Sequence, residues 1–264
     1  MVPLLITRDL SIQFGGLTAV NRVEFHIGSG EAVGLIGPNG SGKTTFFNLL
    51  TGIYRPTQGR IEYDGNNLVG LPAFQIARRG IARTFQNSRL FLGLSILDNV
   101  LSGMHAHQDS NWLDAIFRRR YVGRELRQGV EKALELLGWF SRELAEDCYK
   151  KAGDLPLGDR RKVEICRALA SQPKLLLLDE PSAGMSPEET EALMEDIRRL
   201  RDQKREMAII LIEHDMMVIR GVAGRVVVLN YGRKIAEGTF AEISRDEGVL
   251  EAYLGREEGC VAPG

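Results

Sequence analysis

Short apolar runs and longer amphipathic stretches alternate along this chain, and their order predicts strands and helices in a definite sequence. Residues 4–14 partly alternate between apolar and polar positions, and residues 19–27 alternate more cleanly, as half-buried strands do. Residues 31–36 form a short apolar run suited to a strand covered on both faces, and a helix is expected to begin near Thr44. Residues 54–65 read as turn, strand, turn. From about 95 to 153 the strand signal disappears and the pattern turns helical and charged, with Leu126, Val130, Leu134 and Leu137 on one face. Apolar runs return at 174–179, 207–212 and 226–229, with helical stretches between the first two, as a parallel sheet requires.

The expected architecture is therefore α/β: a mostly parallel core, an N-terminal antiparallel β layer and an inserted helical subdomain. We divide it into residues 1–94 (β layer and first part of the core), 95–153 (helical subdomain), 154–240 (rest of the core) and 241–264 (C-terminal helix and tail). A chain of 264 residues, 44% hydrophobic, is long enough to bury such a core with one insertion. The formal net charge of −1 offers no basic footprint, so no nucleic-acid partner is expected. Cys148, Cys166 and Cys260 show neither metal spacing nor a disulfide framework, which predicts reduced thiols in an intracellular protein. The N-terminus turns charged too early for a signal peptide and no apolar run is long enough to span a bilayer, so any membrane connection is expected through another chain.

Two motifs carry chemistry. Gly37, Pro38, Asn39, Gly40, Ser41, Gly42, Lys43, Thr44 and Thr45 complete the phosphate-binding pattern G-x-x-x-x-G-K-[ST] between a predicted strand and a predicted helix. Its glycines let backbone N–H groups turn around a phosphate, Lys43 neutralises the outer phosphates, and Thr44 offers a hydroxyl to Mg²⁺. The pattern predicts a P-loop (RecA-like) core that binds a nucleoside triphosphate. The second motif is the run 175–180, whose apolar residues end in Asp179 and Glu180 at the edge of the sheet where ligands bind in open α/β folds. Asp179 is placed to hold Mg²⁺ or its water, and Glu180 to polarise an attacking water.

With these motifs the chain resembles an ATP-binding cassette (ABC) ATPase over nearly its whole length, with ATP and Mg²⁺ as the implied cofactors. The resemblance places Phe14 as the aromatic that stacks on adenine, with Val20 flanking the ring. It places Gln86 as the glutamine that reaches Mg²⁺ and senses the transmembrane partner, and His214 as the histidine that contacts the γ-phosphate. It also aligns residues 155–159 with the Leu-Ser-Gly-Gly-Gln signature that faces ATP on a second subunit. Here Pro156 replaces the serine and can make no such bond, leaving Gly158 and the following helix start. Restoring serine at 156 is expected to raise turnover of the assembled complex. Ser186, where many relatives have aspartate, fits a capping box with Pro187 and Glu189.

Residues 14–20, 83–91, 211–216 and 252–255 further resemble the ATPases of branched-chain amino-acid importers, and the long helical stretch 95–153 resembles the larger of the two. That resemblance implies two permease subunits, a second ATPase chain (the same or different), and indirectly an extracytoplasmic solute-binding protein. It implies a peripheral position at the cytoplasmic face of the membrane. Leu90, Phe91, Leu92, Leu94 and Ile96 are expected either to grip a permease helix or to pack the helical insert against the core. Arg118–Arg120 reads as a solvated face, and His26, His105 and His107 as surface residues. Other cargo (urea, amides, lipopolysaccharide), a soluble ABC ATPase working on DNA or ribosomes, and a chain that binds ATP but barely hydrolyses it remain the alternatives.

Overall fold

The computed structural model describes residues 3–86, 89–104 and 119–254. His105, His107, Arg118, Gly255 and Cys260 lie outside the described residues, as do the side chains of Arg119 and Arg120. Strands β1 (Leu5–Phe14) and β2 (Leu17–Ile27) form an antiparallel hairpin whose turn includes Gly15 at φ 56°. With β4 (Gln58–Tyr63) and β5 (Asn66–Asn67) they make a four-stranded antiparallel sheet in the order β2-β1-β4-β5.

The central sheet is built from β3 (Ala32–Ile36), β6 (Ile81–Arg83), β7 (Leu175–Asp179), β8 (Ala208–Ile212), β9 (Arg225–Asn230) and β10 (Arg233–Gly238). Its order is β10-β9-β3-β8-β7-β6, with every pairing parallel except β10 on β9. All residues of β3, β7 and β8 are buried, because both faces of these strands are covered.

The helices are α1 (Lys43–Leu50), α2 (Ala73–Arg78), α3 (Ile96–Met104), α4 (Arg119–Phe140), α5 (Arg142–Glu146) and α6 (Leu157–Ala170). They are followed by α7 (Pro187–Gln203), α8 (Met216–Val222), α9 (Phe240–Ile243) and α10 (Glu247–Leu254). Period-two side-chain alternation distributes β7 between two cores. Leu175 and Leu177 join the antiparallel layer and α1, including Phe25, Phe46 and Phe47. Leu176 and Leu178 join the helical side, where Val100, Ala133, Leu137, Val163 and Ile197 pack. Helices α3, α4 and α5 thus share one continuous core with the sheet, and an isolated bridge between Ser95 and Lys151 ties the two ends of that stretch together.

The expected inward face of α4 needs one correction. Leu137 is wholly buried, as is Ala133, and Val130 and Leu134 pack at the margin, but Leu126 is 55% exposed. The N-terminal part of this helix runs beyond the core it packs on, so its apolar periodicity continues into solvent. Cys148 and Cys166 are free and buried, and burial pushes both thiols up, away from reactivity.

Candidate active site

The chemistry-bearing loops leave the C-terminal ends of neighbouring parallel strands. The loop from β3 to α1 is held by close backbone approach: a Cβ at Gly37 would run into the Leu229 carbonyl, and one at Gly42 into the Ala19 carbonyl. Gly42 is also the residue before α1, at φ 101°, a conformation that favours glycine. No side chain caps α1 and no acidic residue lies in its first turn. Its dipole end is thus left to an external anion.

Lys43 is buried, its Nζ donating to the carbonyls of Gly37 at 2.8 Å and Pro38 at 3.0 Å. Burial lowers its pKa, while Glu180 and Asp179 oppose that shift. Ser41 is buried and Thr45 half-buried, whereas Asn39, Gly40 and Thr44 are exposed at the rim.

Asp179 ends β7 beside Arg83, the last residue of β6, and Arg83 Nη2 donates to Asp179 Oδ2 at 2.6 Å. Arg83 is fixed in turn by Asn48 Oδ1 at 2.6 Å on α1, and lies over the rings of Phe47 and Phe85 at 5.3 and 4.9 Å. Burial raises the pKa of Asp179 and Arg83 pulls it back down. The other carboxylate oxygen, Oδ1, is buried without a hydrogen-bond partner.

That orphan oxygen fits Mg²⁺, which takes one or two protein oxygens, several waters and substrate phosphates. Asp179 and the Thr44 hydroxyl are the groups that would hold it. No group of three or more His, Cys, Asp or Glu able to hold a metal occurs among the described residues.

Glu180 follows Asp179 with φ 48°, a left-handed backbone that a non-glycine residue adopts at a cost of roughly 1–3 kcal/mol. Its Oε2 accepts from Gln86 Nε2 at 2.7 Å, and His214 Nε2 lies 2.5 Å from Oε1. The predicted base is thus bracketed by the predicted glutamine and histidine, and the Gln86 amide engages Glu180. Arg161 on α6 holds this loop from beneath, donating to the carbonyls of Phe85 at 3.1 Å and Gln86 at 2.6 Å.

Phe14 is exposed, its ring edge-on to Tyr54 at 5.2 Å, so it presents an aromatic face next to the hairpin turn. Val20 departs from expectation. It is wholly buried in the β-layer core with Val23, Phe25 and Ile27, because an irregularity in β2, with Arg22 at φ 49°, breaks the alternation and brings position 20 to the same face. It therefore offers no surface to flank a base; exposed Leu17 and Tyr54 are the apolar neighbours of Phe14 in that region.

Gly158 is buried in the first turn of α6, where an added Cβ would meet Glu189 Oε1 at 3.2 Å and Met185 at 3.6 Å. Pro156 is the N-cap of α6, which starts at Leu157, and its carbonyl accepts from Arg160 at 3.0 Å. Ser186 and Glu189 form the expected reciprocal capping box, with Pro187 opening α7. Arg83, Arg161, Tyr54 and Glu213 are parts of the site that the motifs did not reveal. The available signal was a charged residue closing an otherwise apolar strand, in Ile81–Arg83.

Together the fold and this loop arrangement define a phosphate-loop ATPase with an antiparallel β layer and a helical insert. The ABC transporter family model matches residues 20–183, and the model described as branched-chain amino acid ATP-binding cassette transporter matches residues 233–259. The chain belongs to the ABC transporter ATP-binding family. It is 41% identical to the high-affinity branched-chain amino acid transport ATP-binding protein BraF of Pseudomonas aeruginosa, over 96% of this chain and 98% of the relative. The corresponding protein LivG of Escherichia coli has the same identity and coverage. The lipopolysaccharide export system ATP-binding protein LptB of Escherichia coli is 35% identical, again over 96% of this chain and 98% of the relative. A solved ATP-binding cassette of an ABC transporter in its ADP conformation superposes with a TM-score of 0.82 at 28% identity, covering 97% of this chain and all of that one. This chain is an ATP-binding, ATP-hydrolysing cassette.

Proposed function

We propose that the chain is the ATPase subunit of a membrane importer for branched-chain or related amino acids. The observation that carries the cargo is the 41% identity to BraF and LivG along nearly the whole chain, joined by the C-terminal match at residues 233–259. The observation that supports the chemistry is Glu180, held between Gln86 and His214 beside Lys43 and Asp179.

In this reading the phosphates lie on residues 37–45 and the adenine stacks on Phe14; Thr44 and Asp179 would hold Mg²⁺, which would neutralise charge on the phosphates. Glu180 takes a proton from water as its oxygen attacks the γ-phosphorus, and the bond to the ADP oxygen breaks. His214 and Gln86 orient Glu180; His214 contacts the γ-phosphate, and Gln86 senses the transmembrane partner. A second cassette closes over the nucleotide, offering Gly158 and the start of α6, and hydrolysis releases that closure as a population shift. The exposed Phe91, Leu92 and Leu94 surface, at the base of the helical subdomain, grips a short cytoplasmic helix of one of the two permease subunits. As a cassette working on permeases, the chain sits peripherally at the cytoplasmic face of the membrane; no helix among the described residues is long and apolar enough to cross one.

The test is affinity capture of tagged Glu180→Gln chain from native membranes with and without ATP. Two multi-span permeases, a second cassette and an associated amino-acid-binding protein support the proposal. Lipopolysaccharide-export components would favour the second reading that the LptB likeness supports. Ribosomes or DNA-associated proteins would overturn transport.

A further inference from the structure

Glu213 precedes His214 and takes no part in the chemistry above, yet only 4% of it is exposed. A carboxylate removed from water is tolerated where donors surround it, and here they do. One oxygen, Oε1, accepts from the Ser182 backbone N–H at 2.9 Å and from the Ser182 hydroxyl at 2.7 Å. Ser182 lies two residues beyond Glu180, so a single buried group fastens the turn leaving β7 to the end of β8.

That turn needs fastening. Glu180 keeps its left-handed backbone, φ 48°, only where the surroundings over-determine it. Two main-chain bonds help: Glu180 N–H to the Ile212 carbonyl at 2.9 Å, and Ala183 N–H to the Glu180 carbonyl at 3.1 Å. The Glu213 carboxylate adds two bonds to Ser182, within the same turn, and so links that turn to the residue before His214. Releasing it frees both loops that present Glu180 and His214 to each other, and touches nothing in residues 37–45.

We infer that Glu213 is a positioning residue for hydrolysis, setting the mutual geometry of Glu180 and His214 by tying Ser182, in the turn of Glu180, to the residue that precedes His214. This rests on Glu180 being the base.

The test measures steady-state ATPase and equilibrium ATP binding of the full chain for Glu213→Ala, Glu213→Gln and Ser182→Ala, with Glu180→Gln as reference. Glu213→Ala should lower kcat about 100-fold, the scale of an ångström misplacement of reacting groups. ATP affinity and KM should stay within about twofold, because binding rests on other residues. Glu213→Gln should restore most of the turnover, since its amide oxygen accepts the same bonds. Ser182→Ala should fall between, and should add little to Glu213→Ala because both cut one link. If Glu213→Ala does not fold, Ser182→Ala alone decides, with a lower kcat at unchanged ATP affinity expected.

Unchanged turnover in these variants overturns the inference. So does a parallel loss of ATP affinity and turnover that glutamine fails to rescue. A Glu180→Gln chain that hydrolyses as fast as the parent would instead remove the base assignment, independently of how the Glu213 variants behave.

Discussion

Helices α1 and α6 both start without a side-chain cap, yet their first turns differ electrostatically. The start of α1 has Lys43 and no acidic residue. The start of α6 has Asp159 in its first turn and Glu189 beside Gly158. Elsewhere Ser141, Ser186, Asp215 and Thr239 each cap the helix that follows. A capped start has its orphan N–H groups answered within the chain; an uncapped one leaves them for something else. The short helix α2 is uncapped as well, so a free start alone makes no site; α1 adds the glycine-shaped loop and Lys43, which fit it to take an anion unaided. The α6 start is partly neutralised by its own chain and lacks an N–H at Pro156, so it fits an auxiliary half-site that works once another chain holds the phosphate.

The largest effect should come from the α1 side. Glu180→Gln should cut ATP turnover about 10²–10⁴-fold, the usual worth of a positioned base, while ATP still binds; radiolabelled phosphate release and filter binding separate the two. Lys43→Ala should lower turnover about 10²–10³-fold and also weaken binding, as loss of a charge-stabilising donor does. On the α6 side, Pro156→Ser should raise turnover of the assembled complex by about tenfold, the worth of one hydrogen bond to a charged group. An unchanged rate would mean that Gly158 and the helix dipole suffice, and the contrast between the two starts would lose its functional meaning.

Two smaller effects lie in the loops between these helices. Burial raises the pKa of Glu213 from its ordinary 4.5, against lowering by the Ser182 bonds. The folded state then holds the proton more tightly than the unfolded chain. Stability from this group is therefore full below about pH 4.5 and declines as pH rises through the raised value. Glu213→Gln has no such proton to lose, so the stability difference from the parent should grow from pH 4.5 toward neutrality in urea titrations. An opposite slope would contradict the assignment. Ser186→Ala should cost about 1 kcal/mol of stability through the lost cap of α7, with ATP binding unchanged. A large loss of turnover there would place that cap in the catalytic cycle.

The sequence pattern revealed what is local. The phosphate loop, the paired carboxylates ending β7 and the Ser186 capping box each depend on residues within a few positions of one another. The parallel strands were legible because strands buried on both faces become continuous apolar runs. Val20 misled because one register decides which residues of β2 face the core, and irregularities in its pairing with β1 shift that register. Arg83 could not be matched to Asp179 without knowing that β6 lies beside β7, since 96 residues separate them. Arg161 and Glu213 were hidden for the same reason: each acts on a loop from another part of the chain.

The pairing of Arg83 with Asp179 bears on the life of the protein between turnovers. A cassette that releases its product stands empty once in every cycle, with a buried carboxylate at the vacated position. Arg83 supplies a resident counter-charge to one oxygen of that carboxylate and leaves the other for a visitor. Folding thereby depends less on occupancy than in proteins whose metal is their scaffold. The chain can wait, folded and ready, for as long as nucleotide is scarce.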